Sequence, residues 1–202
     1  MVHGFAINRP PPRASPAGVP GGGAIAVATL IRNLTRMGRK GDKPLLAVDV
    51  DGVISLFGYD QPSEDAPGEF HLVDGMLHCI SMPTGPRLNR LGETYELIWA
   101  SGWEDRANDY LPNILGVPEL PYLTFGGDAR FGTAHWKLDS IDTYAGDRAL
   151  AWIDDSLDSS CYEWARRRSG PTLLVPTDPE IGLEEGHVAA LESWAQSGYQ
   201  PS

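Results

Sequence analysis

The chain has 202 residues, of which 42% are hydrophobic and 21% charged, so it is long enough for one globular domain with a sizeable core and short for two. Its formal net charge of −11 disfavours a surface that attracts nucleic-acid backbone over most of its area. Two cysteines, Cys79 and Cys161, are too few for a disulfide framework, so we expect a cytoplasmic protein. No apolar run approaches the roughly 20 residues of a membrane span, so we expect no membrane partner.

The first 42 residues differ in composition from the rest. Residues 1–43 carry seven basic residues and one acidic residue, whereas the remainder carries nine basic and 26 acidic residues. The segment "NRPPPRASPAGVPGGG" is rich in proline and glycine and almost free of large apolar groups, which predicts a disordered basic tail over residues 1–42. We expect a single folded domain over residues 43–198.

Apolar, β-rich runs alternate with helix-like segments from Lys43 onward. The runs predict five strands, at residues 45–50, 95–101, 121–125, 149–154 and 171–176. The segments between and after them predict helices at about 103–115, 135–144, 158–168 and 184–196. This order is typical of an α/β fold in which a mainly parallel five-stranded sheet has helices on both faces.

A small insert at about residues 54–92 separates the first two of these strands. "GEFHLVDGMLHCISMP" predicts a β-hairpin with Asp74 and Gly75 in its turn, and "TGPRLNRLGE" predicts a short helix. The insert is too small for a large helical cap domain. We therefore expect an open active site, covered only by this minimal hairpin cap and by the loop at residues 57–68.

Polar residues stand where the predicted strands end. Asp49 and Asp51 end the first strand, Ser101 the second, and Asp154 and Asp155 the fourth. Ligand sites of parallel sheets lie at the carboxyl ends of the strands. Clustered carboxylates repel one another and are costly to bury, and a divalent cation removes both penalties. Because hard cations prefer oxygen ligands, the pattern predicts a Mg²⁺ site.

Two further residues belong to this pattern. Gly52 lets the chain turn away after Asp51 and brings backbone N–H groups near an anion. Lys137 is the only lysine after Lys43, which favours a role in the site over a solvated helical position. Structural alternatives stay open, since Ser101 could cap the next helix and the Asp154–Asp155 pair could form a turn and a cap.

Other motif interpretations fail. Val53 stands where an EF-hand loop needs an acid or an asparagine, and no strand precedes "GVPGGGAIA" as a dinucleotide-binding loop requires. The chain has no Walker A sequence, no G-x-S-x-G elbow and no cysteine and histidine set with zinc spacing. The scattered histidines His71, His78 and His187 are interpreted as surface or packing residues.

The four motifs in order resemble the haloacid dehalogenase (HAD) superfamily of phosphotransferases. They are D-x-D-G-V after a buried strand, a strand ending in serine, a downstream lysine, and a strand ending in Asp-Asp. The resemblance covers residues 44 to about 196 and implies a Rossmann-like fold. Within the superfamily, "IWASGWEDRAN" and "TDPEIGLEEGHVAALESWA" are similar to the phosphatase-like domain of Swiss Army Knife RNA repair proteins.

The resemblance implies a role for each matching residue. Asp49 would be the nucleophile that forms an aspartyl-phosphate, and Asp51 the general acid and base, with its backbone carbonyl facing Mg²⁺. Ser101 would bind a phosphoryl oxygen, and Lys137 would neutralise the phosphoryl group and restrain Asp49. The implied substrate-binding set is Gly52, Ser101, Gly102 and Lys137, and the implied metal set is Asp49, Asp51, Asp154 and Asp155.

Three functions fit these motifs. The first is a Mg²⁺-dependent phosphomonoester hydrolase that acts on a small phosphomonoester or a nucleotide. The second applies the same chemistry to terminal phosphates of RNA or DNA in repair, and the third is a non-catalytic binding module. A binding module has no need of the complete set of five residues, Asp49, Asp51, Ser101, Lys137 and Asp155.

The basic side chains expected near the mouth of the site could grip one or two phosphates but hardly a long backbone. They are Arg87, Arg90, Arg106 and Arg130. This shortage of cations favours the small substrate over a nucleic-acid end. The sequence leaves the oligomeric state open.

Overall fold

A computed structural model describes residues 43–62, 66–125 and 134–199 of the chain, without the side chains of residues 134 and 135. The predicted tail at residues 1–42 lies outside the described residues, as do parts of the loop at 57–68 and Arg130.

The described residues form seven strands and five α-helices. The strands are β1 (Leu45–Val48), β2 (Ser55–Leu56), β3 (Glu69–Val73), β4 (Met76–Ile80), β5 (Glu96–Trp99), β6 (Leu150–Asp154) and β7 (Thr172–Pro176). The helices are α1 (Thr84–Thr94), α2 (Arg106–Leu115), α3 (Leu138–Ala145), α4 (Ser159–Arg167) and α5 (Glu185–Gln196), and a 3₁₀ turn (Ala134–Lys137) precedes α3. None of the described helices combines the length and the apolar character that crossing a membrane requires.

Four strands form a parallel sheet in the order β5-β1-β6-β7. Its central strand β1 is buried on both faces because all of its side chains are apolar. Leu46 and Val48 pack into a core with α1, α2 and α5, whereas Leu45 and Ala47 pack into a second core with α3 and α4. The prediction of a mixed α/β fold with helices on both faces of a parallel sheet is therefore confirmed.

The predicted fifth strand is the exception. Residues 121–125 form only one isolated parallel bridge, between Tyr122 and Trp99 of β5. The Trp99 N–H donates to the Pro121 carbonyl at 2.8 Å, and the Leu123 N–H donates to the Trp99 carbonyl at 2.9 Å. The segment lies beside the edge strand of the sheet, and proline at its start supplies no N–H to extend the pairing.

A second, antiparallel sheet of three strands has the order β2-β4-β3. Its β3–β4 hairpin turns at Asp74 and Gly75, both with positive φ (49° and 82°), as a two-residue hairpin turn requires. The predicted hairpin is confirmed, and so is the helix after it, which is α1. The two-residue strand β2 was not predicted.

Candidate active site

The parallel sheet brings three carboxylates together at the carboxyl ends of β1 and β6. Asp49 continues the pairing of β1 by donating its N–H to the Ile153 carbonyl at 3.1 Å, and Asp154 is the last residue of β6. Each of Asp49, Asp154 and Asp155 offers a carboxylate oxygen, and these three oxygens lie within 4.8 Å of one another. Residues far apart in the sequence therefore share one site because their strands are neighbours.

Lys137 lies at the base of this site, between the carboxylates of Asp49 and Asp154. It ends the 3₁₀ turn before α3, and its Nζ lies 2.7 Å from both Asp49 Oδ2 and Asp154 Oδ2. Burial would lower the pKa of this lysine, but the two carboxylates outweigh burial and raise its pKa above the ordinary value. Lys137 is therefore held as a cation between the ends of β1 and β6.

One ammonium does not balance three carboxylates in a buried place. Burial raises the pKa of Asp49 to about 8 against the effect of Lys137, and repulsion from Asp154 adds to it. Burial and repulsion from Asp154 also raise the pKa of Asp155. A divalent cation would relieve both causes, and its preferred ligands are carboxylate oxygens such as these. The donor set of Asp49, Asp154 and Asp155 fits Mg²⁺ in charge and in ligand type.

Asp51 has a partner that the sequence did not predict. Trp103 donates its indole N–H to both carboxylate oxygens of Asp51, at 3.1 and 3.2 Å. His78 of β4 packs edge-on against Trp103 with ring centroids 5.0 Å apart, and its Nδ1 lies 2.8 Å from the Ser55 hydroxyl oxygen. His78 thus contributes to the wall of the site, and its spacing from Asp51 in the sequence gives no signal of this.

Gly52 turns the chain away from the site as predicted, with a φ of +70°. A Cβ at this position would lie 2.4 Å from Asp155 Cγ, so only glycine fits beside that carboxylate. Its N–H donates to the Ser55 carbonyl at 2.8 Å, and its own carbonyl accepts from the Thr177 hydroxyl at 2.9 Å. The Gly52 N–H is therefore already bonded within the protein, and the role of Gly52 in substrate binding stays a prediction.

Ser101 and Gly102 follow β5 at the same edge of the sheet. Ser101 is buried, and its hydroxyl accepts a hydrogen bond from the backbone N–H of Trp103 at 3.4 Å. Gly102 lines the cleft into which the site opens. Ser101 is not the cap of the next helix, because α2 begins at Arg106 after Asp105. Its contact with a phosphoryl group stays a prediction.

The site opens into a cleft of about 940 Å³. Its floor includes Asp49, Asp51, Lys137, Asp154 and Asp155. The hairpin and the loop after β2, which are the two segments expected to cover the site, supply part of the wall, with Phe57, Tyr59, Asp60, Asp74, Met76, Leu77 and His78. Trp103, Arg106 and Trp136 also line the cleft. The cleft exceeds what a phosphate group needs, so it has room for a larger molecule.

The described arginines that were expected near the mouth already have partners. Arg87 donates to the Leu183 carbonyl, and Arg90 pairs with Glu185 and Glu192 of α5, so both link α1 to the C-terminal part of the domain. Arg106 lines the cleft and pairs with Asp74.

No protein-family model matches the chain, and no curated protein matches it either.

Proposed function

We propose that this chain is a Mg²⁺-dependent phosphomonoester hydrolase with the Rossmann-like fold of the HAD superfamily, acting on a small phosphomonoester or a nucleotide. The observation that carries the proposal is the convergence of Asp49, Asp154 and Asp155 with buried Lys137 on the floor of one open cleft. A structural ion pair needs one carboxylate for one ammonium. Two buried carboxylates and a half-buried third around a single lysine are costly unless the site binds a further cation.

The proposed reaction has two displacements at phosphorus. A carboxylate oxygen of Asp49 attacks, the bond from phosphorus to the ester oxygen breaks with its electron pair on that oxygen, and an aspartyl-phosphate forms. Asp51 gives its proton to the departing oxygen, in keeping with a pKa that burial raises. Water then attacks phosphorus and loses a proton to Asp51, which releases inorganic phosphate and restores Asp49.

Mg²⁺ would be held by Asp49, Asp154 and Asp155, with the backbone carbonyl of Asp51 as a further proposed ligand. When bound, it would offset the charge of these carboxylates and of the phosphoryl oxygens. Lys137 supports the same step, because its two contacts of 2.7 Å restrain Asp49 and keep a positive charge beside the attacking oxygen.

Hydrolysis of terminal phosphates on RNA or DNA is the second interpretation. It requires cations that can follow a nucleic-acid strand away from the reacting phosphate. Among the described residues that line the cleft, Arg106 is the only arginine, and it pairs with Asp74. The described charges therefore favour the small substrate.

Turnover of an aryl phosphate by the Asp49→Asn variant tests the proposal. We expect wild-type turnover to need Mg²⁺ and to stop with a chelator, and we expect the variant to lose on the order of 10³-fold or more in kcat because an amide does not attack phosphorus. Asp147→Asn is the control, since Asp147 is exposed and precedes β6 at the amino ends of the strands. It should change kcat by less than about twofold.

Two results would contradict the proposal. One is wild-type kcat in a folded, Mg²⁺-loaded Asp49→Asn variant. The other is a wild-type protein that binds phosphorylated ligands but hydrolyses none of a panel of phosphomonoesters, which would favour the non-catalytic binding module.

A further inference from the structure

Exposed apolar side chains line the cleft beside the carboxylates. Phe57, Met76 and Leu77 have 48%, 63% and 41% of their surface exposed, and all three line the cleft wall. Side chains of this size exposed together at a cleft mark a surface that binds another molecule more often than one that is merely solvated.

The hairpin that carries Met76 and Leu77 is fixed in place. The carboxylate of its turn residue Asp74 accepts hydrogen bonds from the Arg106 guanidinium and from the Tyr110 hydroxyl, the latter at 2.9 Å. Both partners belong to α2, so the hairpin tip is tied to the helix that follows the Ser101 turn. The apolar residues thus belong to a supported wall of the cleft.

The charges of the wall argue against a substrate with a second anionic group. Among the described residues that line the cleft, Asp60 and Asp74 of the wall are acidic, and Arg106, the only arginine, already pairs with Asp74. Lys137 lies on the floor between two carboxylates. A second phosphate or a carboxylate on the substrate would therefore meet acidic side chains or a cation that is already paired.

We infer that the cleft takes a phosphomonoester with a single anionic group and an uncharged, apolar body that packs on Phe57, Met76 and Leu77. The inference rests on the proposed function, since it places the phosphoryl group against Asp49. The cleft volume of about 940 Å³ lies within the usual range for a whole organic ligand, about 300–1,000 Å³, of which a phosphoryl group fills a small part.

A series of n-alkyl phosphates tests the inference, because lengthening the chain hardly changes the leaving group. We expect kcat/KM to rise about twofold with each added methylene. This factor corresponds to half of the transfer free energy of a fully buried methylene, since an open cleft buries only part of each methylene. Leu77→Ala and Phe57→Ala should flatten this slope. Leu72→Ala is the matched control, because Leu72 pairs with Leu77 across the hairpin and is 69% exposed, but does not line the cleft.

The binding of non-hydrolysable n-alkyl phosphonates, measured by calorimetry, separates this inference from the proposed function. An affinity that rises with chain length in wild type and Leu72→Ala but not in Leu77→Ala supports the inference, even if no ester is hydrolysed. Turnover with a flat slope in wild type overturns the inference and leaves the hydrolase proposal standing. Equal flattening by Leu72→Ala and Leu77→Ala also overturns it, because hairpin stability would then explain the effect.

Discussion

The two sheets of this protein differ in how far their apolar side chains are buried. In the parallel sheet, every residue of the two inner strands β1 and β6 is buried, and in these two strands a charged side chain stands only at the last position, Asp154. In the antiparallel sheet, by contrast, Leu72, Met76 and Leu77 are exposed. The hairpin strands that carry them lie beside the same cleft. Burial on both faces fixes Asp49 and Asp154 rigidly, whereas the hairpin presents a surface to whatever enters the cleft.

This difference suggests a division of labour between the sheets. Groups that perform chemistry must be held within fractions of an ångström, and a strand packed on both faces supplies that rigidity. A surface that recognises the body of a substrate has to be exposed before binding. Substitutions can show whether the two sheets contribute separately, beginning with the residue at their junction.

Gly52 lies in the turn between β1 and β2, where the chain passes from the parallel to the antiparallel sheet. The largest loss of stability is expected from Gly52→Ala. The positive φ alone costs about 1–2 kcal/mol for alanine. Contact of the new Cβ with Asp155 adds overpacking of about 1–3 kcal/mol. We expect the free energy of unfolding, measured by urea denaturation, to fall by about 3 kcal/mol in total. We also expect Mg²⁺ to raise the Tm of the wild type by binding the folded state, and this rise should shrink in the variant because the new Cβ would displace Asp155.

Gly116→Ala is the matched control for that variant. Gly116 has a φ of 66° at the end of α2, and a Cβ added there would meet no other described atom within 4 Å. This variant should lose only the cost of the positive φ and keep the full response to Mg²⁺. Equal losses of stability in the two variants would mean that the Asp155 side chain moves away from the new Cβ at little cost. The turn at Gly52 would then not be rigid.

Much of this architecture could be predicted from the sequence. The runs that form β1, β5, β6 and β7 are apolar along most of their length, and such runs form strands wherever both faces are covered. The segment at residues 121–125 has a similar composition, but it forms only one bridge to β5, and Pro121 at its start has no N–H with which to extend the pairing. Composition does not report how far a strand is paired.

The candidate site also has a part that could be predicted from the sequence and a part that could not. The carboxylates could be predicted because strand ends converge in any parallel sheet. The hydrogen bond from Trp103 to Asp51 could not, because it depends on the direction of a side chain 52 positions away. The hydrogen bond of the Gly52 N–H could not be predicted for a similar reason, since its acceptor is set by the tight turn to Ser55.

A smaller effect is expected from Trp103→Phe, which keeps an aromatic ring against His78 but removes the N–H that holds Asp51. Asp51 is protonated and neutral when it protonates the leaving group, and a hydrogen bond to a neutral group contributes about 0.5–1.5 kcal/mol, so loss of the orientation of Asp51 should cost up to about tenfold where that proton is needed. The measurement is kcat/KM, because it reports the formation of the aspartyl-phosphate and not the later attack of water, which both kinds of substrate share. Alkyl phosphates should show this loss. Aryl phosphates, which leave without a proton, should change by less than about twofold.

Trp152→Phe controls for loss of an indole ring. Trp152 is fully buried in β6, and its Nε1 has no hydrogen-bond partner among the described residues. It should lower the free energy of unfolding without distinguishing alkyl from aryl phosphates. If Trp103→Phe also slows both substrates equally, Trp103 supports only the packing between the sheets, and the orientation of Asp51 does not depend on it.

The smallest effect is expected from salt, because both sheets lie in a domain with a large excess of acids. From residue 44 onward the chain has nine basic side chains against 26 acidic ones. A protein that grips many nucleic-acid phosphates loses on the order of 10³-fold in affinity between about 50 and 200 mM salt. We expect kcat/KM for a small phosphomonoester to change less than about twofold over this range, and activity on a phosphorylated oligonucleotide to be no higher.

The basic segment at residues 1–42 makes this comparison sharper, since its six basic residues could tether a strand without any contribution from the cleft. The measurement should therefore be made on the full chain and on a variant that begins at Lys43. A salt-dependent preference for oligonucleotides in the full chain alone would assign it to the basic segment and leave the cleft selective for small substrates. The same preference in the shortened variant would mean that the domain itself grips a strand, and the repair interpretation would then replace the small-substrate proposal.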